Sequence, residues 1–166
     1  RHAHAPSRNP AARAVRGAVR ERTHSLLGEM QPQSGGYLEA TPLTSFVVMS
    51  LAAMGRSDSP VLARGVRLLL DSRRFDGSWP IDTHLATWVT TLAIGALADA
   101  GLLASQDRPA LRQWLLRQQS ACEHPFTHAA PGGWAWTPLD GGVPDADDTS
   151  GALLALRALG EPGEED

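Results

Sequence analysis

Apolar residues recur along this chain at helical intervals. Val61–Ser72 and Pro109–Gln119 place Leu, Val and Trp at i, i+3 and i+4 positions, the spacing of a helix with one buried stripe. Thr83–Ala100 and Asp147–Leu159 are different, being rich in small and apolar residues on most sides. A helix apolar nearly all round belongs in an interior. The pattern predicts an all-α fold with amphipathic helices outside and apolar helices inside.

The same plan occurs three times: a helix, a Gly-containing turn that ends in an aromatic residue, and a second helix stopped by Gly. The turns are Gln31-Pro-Gln-Ser-Gly-Gly-Tyr37, Arg73-Arg-Phe-Asp-Gly-Ser-Trp79, and Gln119 through a longer loop to Gly132-Gly133-Trp134. After them, Thr44, Thr90 and Thr149 each stand 7 residues before a Leu and 11 before Gly55, Gly101 or Gly160. Gly at that place allows the left-handed conformation that closes a helix. Three such pairs (about 11–55, 60–101 and 107–160), arranged around an axis, make a partial α/α toroid: three helical hairpins of an (α/α)6 barrel. One domain then spans 1–166, with 161–166 an acidic tail or a cut end. The start at Arg1 and the position of the last motif read as a segment of something longer.

Composition narrows the function classes. Apolar residues make up 42% of the 166, an ordinary globular value that argues against wholesale disorder. No apolar run approaches the roughly 18 residues of a membrane span, and the Arg-rich start lacks a signal peptide's apolar core. Charge is uneven: residues 1–22 hold six arginines against Glu21, and residues 140–166 hold eight acids against Arg157. All 15 basic residues are Arg, and no aromatic–basic interleaving accompanies them, so nucleic acid is not an expected partner. The lone Cys122 cannot form an internal disulfide and fits a reducing compartment.

Candidate chemistry lies in Asp145-Ala-Asp147-Asp148-Thr149, three carboxylates within four residues before an apolar helix. A helix N-terminus favours the anions, whereas crowding of like charges holds a proton on one of them. The cluster shares protons as a unit and suits delivery of a proton to a very weak base. Helix capping by Asp145 or Asp147 is the structural alternative. An EF-hand loop fails on spacing, since its fifth, sixth and twelfth positions are Thr149, Ser150 and Leu156. Cys122, His124 and His128 are zinc-ligand types, but no fourth ligand is near and Pro125 argues against one helical face, so no metal is expected. His84, placed on the helix after Trp79, reads as cavity-facing or as a core histidine.

The turns resemble the QW repeats of squalene-hopene and oxidosqualene cyclases, with Tyr37 in place of Trp, Arg73 in place of Gln, and an insertion in the third copy. Pro131 to Leu156, Pro-Gly-Gly-Trp-Ala-Trp through Pro-Asp-Ala-Asp-Asp-Thr, is similar to the central segment of bacterial squalene-hopene cyclases, and weaker likeness reaches back to about Gln31.

That resemblance implies a class II terpene cyclase, an isomerase-type enzyme without a cofactor that protonates the terminal alkene of a linear isoprenoid, squalene-like. Asp147 would be the donor, with Asp145 and Asp148 tuning it. Trp136 would line the cavity, and Asp82 in Ile81-Asp82-Thr83 resembles a cavity-facing Trp-Asp-Thr segment, with Ile81 in place of the Trp. Thr149 follows the motif and joins the substrate-binding set. The likeness further implies a cytoplasmic protein on a membrane surface. Half a ring is expected to be inactive without the rest of the same polypeptide. The alternatives are a non-catalytic isoprenoid-binding or scaffold toroid and a class II diterpene cyclase.

Overall fold

The computed structural model describes residues 9–160. Arg1, Arg8 and the acidic stretch 161–166 lie outside the described residues. Within them the chain forms six α-helices: α1 (Pro10–Met30), α2 (Thr41–Ala53), α3 (Pro60–Asp71), α4 (Ala86–Asp99), α5 (Arg108–Arg117) and α6 (Ala146–Leu159), with a short 3-10 turn at Leu103–Ser105. No β-strand occurs among the described residues; the only extended pairings are the isolated bridges Tyr37–Ala40, Ala40–Asp82 and Trp134–Asp145. The protein is all-α. None of these helices is long and apolar enough to cross a membrane.

Pro at the first turn starts α1, α2, α3 and α5, where its missing N–H costs nothing. Gly55, Gly101 and Gly160 follow α2, α4 and α6 with positive φ of 74°, 70° and 70°, open to glycine. Gly160 combines it with ψ of 176°, so that it ends α6 in an extended and not a left-handed helical turn. The helices pack as α2 on α3, α4 on α6, α5 on α6, and α1 more lightly on α3. Leu51, Val61 and Tyr37 form one core, and Ile94, Leu103, Leu115, Trp134, Ala152, Ala155 and Leu159 form the other.

The three turns share a hydrogen bond that sequence spacing alone does not reveal. Tyr37 Oη donates to Leu27 O at 2.7 Å, Trp79 Nε1 to Leu69 O at 2.6 Å, and Trp134 Nε1 to Leu115 O at 2.8 Å. The turn aromatic thus reaches back each time to a carbonyl in the last turn of the preceding helix, where carbonyls lack an i+4 partner within the helix. The separation is 10 residues in the first two copies and 19 in the third. Gln31 Nε2 donates to Gly35 O and Gln119 Nε2 to Gly132 O, separations of 4 and 13. Both pairs show the third turn to be longer by the same nine residues. Burial pushes the Tyr37 hydroxyl up to about 12, with the Arg64 charge opposing.

Two expectations are corrected. The helix anticipated from Thr83 begins at Ala86, because Thr83 N and Oγ1 both donate to Glu39 O, at 2.9 and 3.0 Å, and hold the segment extended. His84 therefore precedes α4. Nor are the apolar helices buried all round: α2, α4 and α6 bury narrow stripes such as Thr44 and Leu51, Thr87 and Ile94, and Ala152 and Ala155. Their other sides leave Phe46, Met49, Val89, Leu92, Leu153 and Leu154 exposed. Among the described residues no element packs on those faces.

Candidate active site

Asp145 is the N-cap of α6, and its Oδ1 accepts the backbone N–H of Asp148 at 2.8 Å. The capping role and the cluster role thus coincide in one residue. Rotation of α6 then separates the other two aspartates. Asp148 heads the buried stripe that continues through Ala152, Ala155 and Leu159, and is itself only 4% exposed. Asp147 lies one position back on the helix and is exposed, on the side that carries the exposed Ser150 and Leu154.

Burial, together with the charge and hydrogen bond of Asp145 and the charge of Asp147, pushes the Asp148 carboxyl up to about 7. The backbone N–H of Trp136 opposes this, while Asp148 Oδ1 is enclosed without a hydrogen-bond partner. Burial and the neighbouring carboxylates both favour the protonated form, so Asp148 holds a proton more readily than an ordinary aspartate.

A cavity of about 420 Å³ opens in front of the pair. Leu38, Ala40, Asp82, Leu85, Trp88, Trp136, Asp145 and Asp148 line it. The lining is largely apolar, with two indole rings available to a cation and carboxyls from two separate parts of the chain. Hydrogen bonds from Thr87 N and Trp88 N to Trp136 O, at 3.1 and 3.2 Å, join the start of α4 to the segment that carries Trp136.

The structure thus brings together Asp82, Trp136, Asp145 and Asp148, and leaves Asp147 and Thr149 outside the lining. Thr149 Oγ1 accepts the N–H of Trp134 at 3.0 Å, as Thr44 Oγ1 accepts that of Tyr37 at 2.9 Å. Its hydroxyl is taken up by the turn. Ile81 is 74% exposed and outside the lining, which it touches only through the chain; the indole of Trp88 lines the cavity instead. Trp88 was missed in the sequence, where it reads as one more apolar residue of a helix. Its spacing from Thr87 and Thr91, the buried stripe of α4, was the available signal.

The cysteine–histidine loop is engaged locally. His124 Nδ1 accepts the N–H of Thr127 at 3.2 Å, and His128 Nδ1 pairs with Glu123 at 2.6 Å, while Cys122 is exposed. His84 Nδ1 bonds Thr137 Oγ1 at 2.9 Å, which ties the segment before α4 to the loop after Trp136.

The fold and site define an all-helical protein of repeated hairpins with two neighbouring carboxyls at the wall of a largely apolar cavity lined by two tryptophans. No family model matches the chain. Among curated proteins it is similar to the squalene–hopene cyclase of Alicyclobacillus acidocaldarius, 30% identical over 157 residues. The match takes in 90% of this chain and 25% of that protein, so the chain spans about a quarter of the relative's length.

Proposed function

We propose that this chain is part of a class II terpene cyclase of the squalene–hopene type, which starts ring formation by protonating the terminal alkene of a linear isoprenoid. The observation that carries this reading is the aspartate cluster at the start of α6, with Asp145 and Asp148 at the wall of a cavity lined by Trp88 and Trp136 and the Asp148 carboxyl pushed up to about 7. Protonating a carbon–carbon double bond needs a carboxylic acid that is still protonated when it meets the alkene, in an apolar place, because water would capture the carbocation. Indole faces then stabilise the cation by up to about 2 kcal/mol each when desolvated.

In this reading Asp147 is the donor. Its carboxyl stands on the side of α6 that carries exposed Leu154, one residue from Asp148. The exposed apolar sides of α2, α4 and α6 are the inner wall of an (α/α)6 toroid, and the remaining hairpins of a longer polypeptide cover them. The distant likeness to a squalene–hopene cyclase supports the reaction class and points to a squalene-like hydrocarbon as substrate. Association with a membrane surface follows from where such a substrate dissolves.

The test is product analysis on the complete gene product incubated with linear isoprenoids such as squalene. Cyclic hydrocarbon is expected from the native protein and is expected to vanish in Asp147→Asn with helical content unchanged. Product that persists in Asp147→Asn but disappears in Asp148→Asn moves the donor role to Asp148. Isoprenoid binding with no product from the native protein makes the chain a binding module.

A further inference from the structure

Glu39 is 1% exposed, in the segment between the first turn and α2, and the acid chemistry above does not use it. It follows Leu38, and both have φ of 51°, the left-handed region that a residue with a side chain avoids unless its surroundings impose it. Three sets of contacts impose it, one from each hairpin. Ser34 Oγ of the first donates to Glu39 Oε1 at 3.0 Å. Thr83 of the second donates its N–H and its hydroxyl to Glu39 O. Gly141 of the third lies flat against the carboxyl, so close that a Cβ there would stand 2.7 Å from Oε1 and 3.0 Å from Cγ.

The placement relative to the acid pair matters. Leu38 and Ala40, on either side of Glu39, line the cavity. Gly141 is in the loop that leads from Trp136 to Asp145, whose far end is tied back by the bond from Asp145 N to Trp134 O at 3.1 Å. Glu39 Oε2 has no hydrogen-bond partner although it is fully enclosed. A buried polar atom left so is costly, and such costs collect where a structure must hold a particular geometry.

We propose that Glu39 is a positioning residue for the acid pair: wedged against Gly141 and anchored by Ser34 and Thr83, it fixes the 137–144 loop so that the Asp145 carboxyl stays on Asp148. This rests on the reading of the Asp cluster as the acid site. The groups that face Asp148 are Asp145 and Asp147 on its own helix terminus and the N–H of Trp136, with Asp82 in the same cavity lining. Glu39 acts on the pair through the loop, not through its charge.

The test is the titration midpoint of the Asp148 carboxyl, followed by carbon-13 NMR on protein labelled at aspartate, with thermal unfolding measured alongside. The native midpoint is expected near 7. Glu39→Gln, which keeps the shape and the acceptor for Ser34, is expected to hold it within a few tenths of a unit. Glu39→Ala and Gly141→Ala are expected to lower it by about one unit, a tenfold change in proton affinity, as Asp145 withdraws. Ser34→Ala, a milder change that preserves the fold, is expected to lower it by a smaller amount. A midpoint that stays put in Glu39→Ala, Gly141→Ala and Ser34→Ala while the melting temperature falls makes Glu39 a structural knot and overturns the proposal. The readout needs no turnover, so a chain that forms no cyclic product can still show the shift. A native midpoint in the ordinary carboxylate range would instead remove the acid site itself.

Discussion

Asp145 acts on Asp148 in two ways: its side chain accepts the backbone N–H of Asp148 at 2.8 Å, and its charge bears on the Asp148 carboxyl. The hydrogen bond starts α6, and the charge favours a proton on Asp148. Capping would by itself favour an anion at Asp145, and the helix dipole works in the same direction. Burial of Asp148 works against the anion and prevails there, which is why its carboxyl rises to about 7 from 3.8.

That rise makes stability depend on pH in a known sense. The folded state holds the Asp148 proton more tightly than the unfolded chain, so its contribution is fully present below about pH 4 and is lost as pH rises through about 7. The melting temperature of the native protein is expected to fall across that window relative to Asp148→Asn, which has no proton to lose. Calorimetry at intervals between pH 4 and 8 checks it, and parallel curves for the two proteins would count against it.

Removing the cap should undo both. Asp145→Ala is expected to cost about 1 kcal/mol through the lost N-cap. It should also lower the Asp148 midpoint, because the charge and the hydrogen bond of Asp145 both raise it. Urea unfolding and carboxyl NMR measure the two effects separately.

The turn hydrogen bonds differ in burial and so should differ in worth. Tyr37 is 6% exposed and Trp79 is 48% exposed. Tyr37→Phe, which strands the Leu27 carbonyl, is expected to cost about 1 kcal/mol. Trp79→Phe should cost about half of that or less, since water replaces the lost partner on Leu69. Chemical unfolding of the two variants in one buffer decides the order.

Gly65 sets two effects against each other. Alanine in the middle of a helix gains up to about 1 kcal/mol over glycine. A Cβ on Gly65 would stand 2.7 Å from Val48 Cγ2, however, where α3 crosses α2. Overpacking of that kind costs about 1–3 kcal/mol, so Gly65→Ala is expected to destabilise. A rise in melting temperature would show that α2 and α3 can move apart freely.

For the proposed reaction, Trp88 offers a test independent of the acid. Trp88→Leu keeps an apolar wall and removes a cation-stabilising face, and is expected to slow product formation about tenfold. The Asp148 midpoint should not move, since Trp88 is not among the groups that shift it. An unchanged rate would take the indole out of the chemistry.

The sequence by itself determined the helices, their glycine closures at Gly55, Gly101 and Gly160, the threefold turn plan and the position of three aspartates at one helix start. These follow from local rules, in which a side chain answers to residues three or four positions away. Only the tertiary structure decided that Asp148 is the buried member and Asp147 the exposed one, because that depends on how α6 is rotated against α4 and α5. It also placed Trp88 beside Trp136, occupied the Thr149 hydroxyl with a turn, ended the extended segment at Leu85, and locked Glu39 between three hairpins. Those relationships join residues far apart in the chain, and packing, not periodicity, chooses which of them meet.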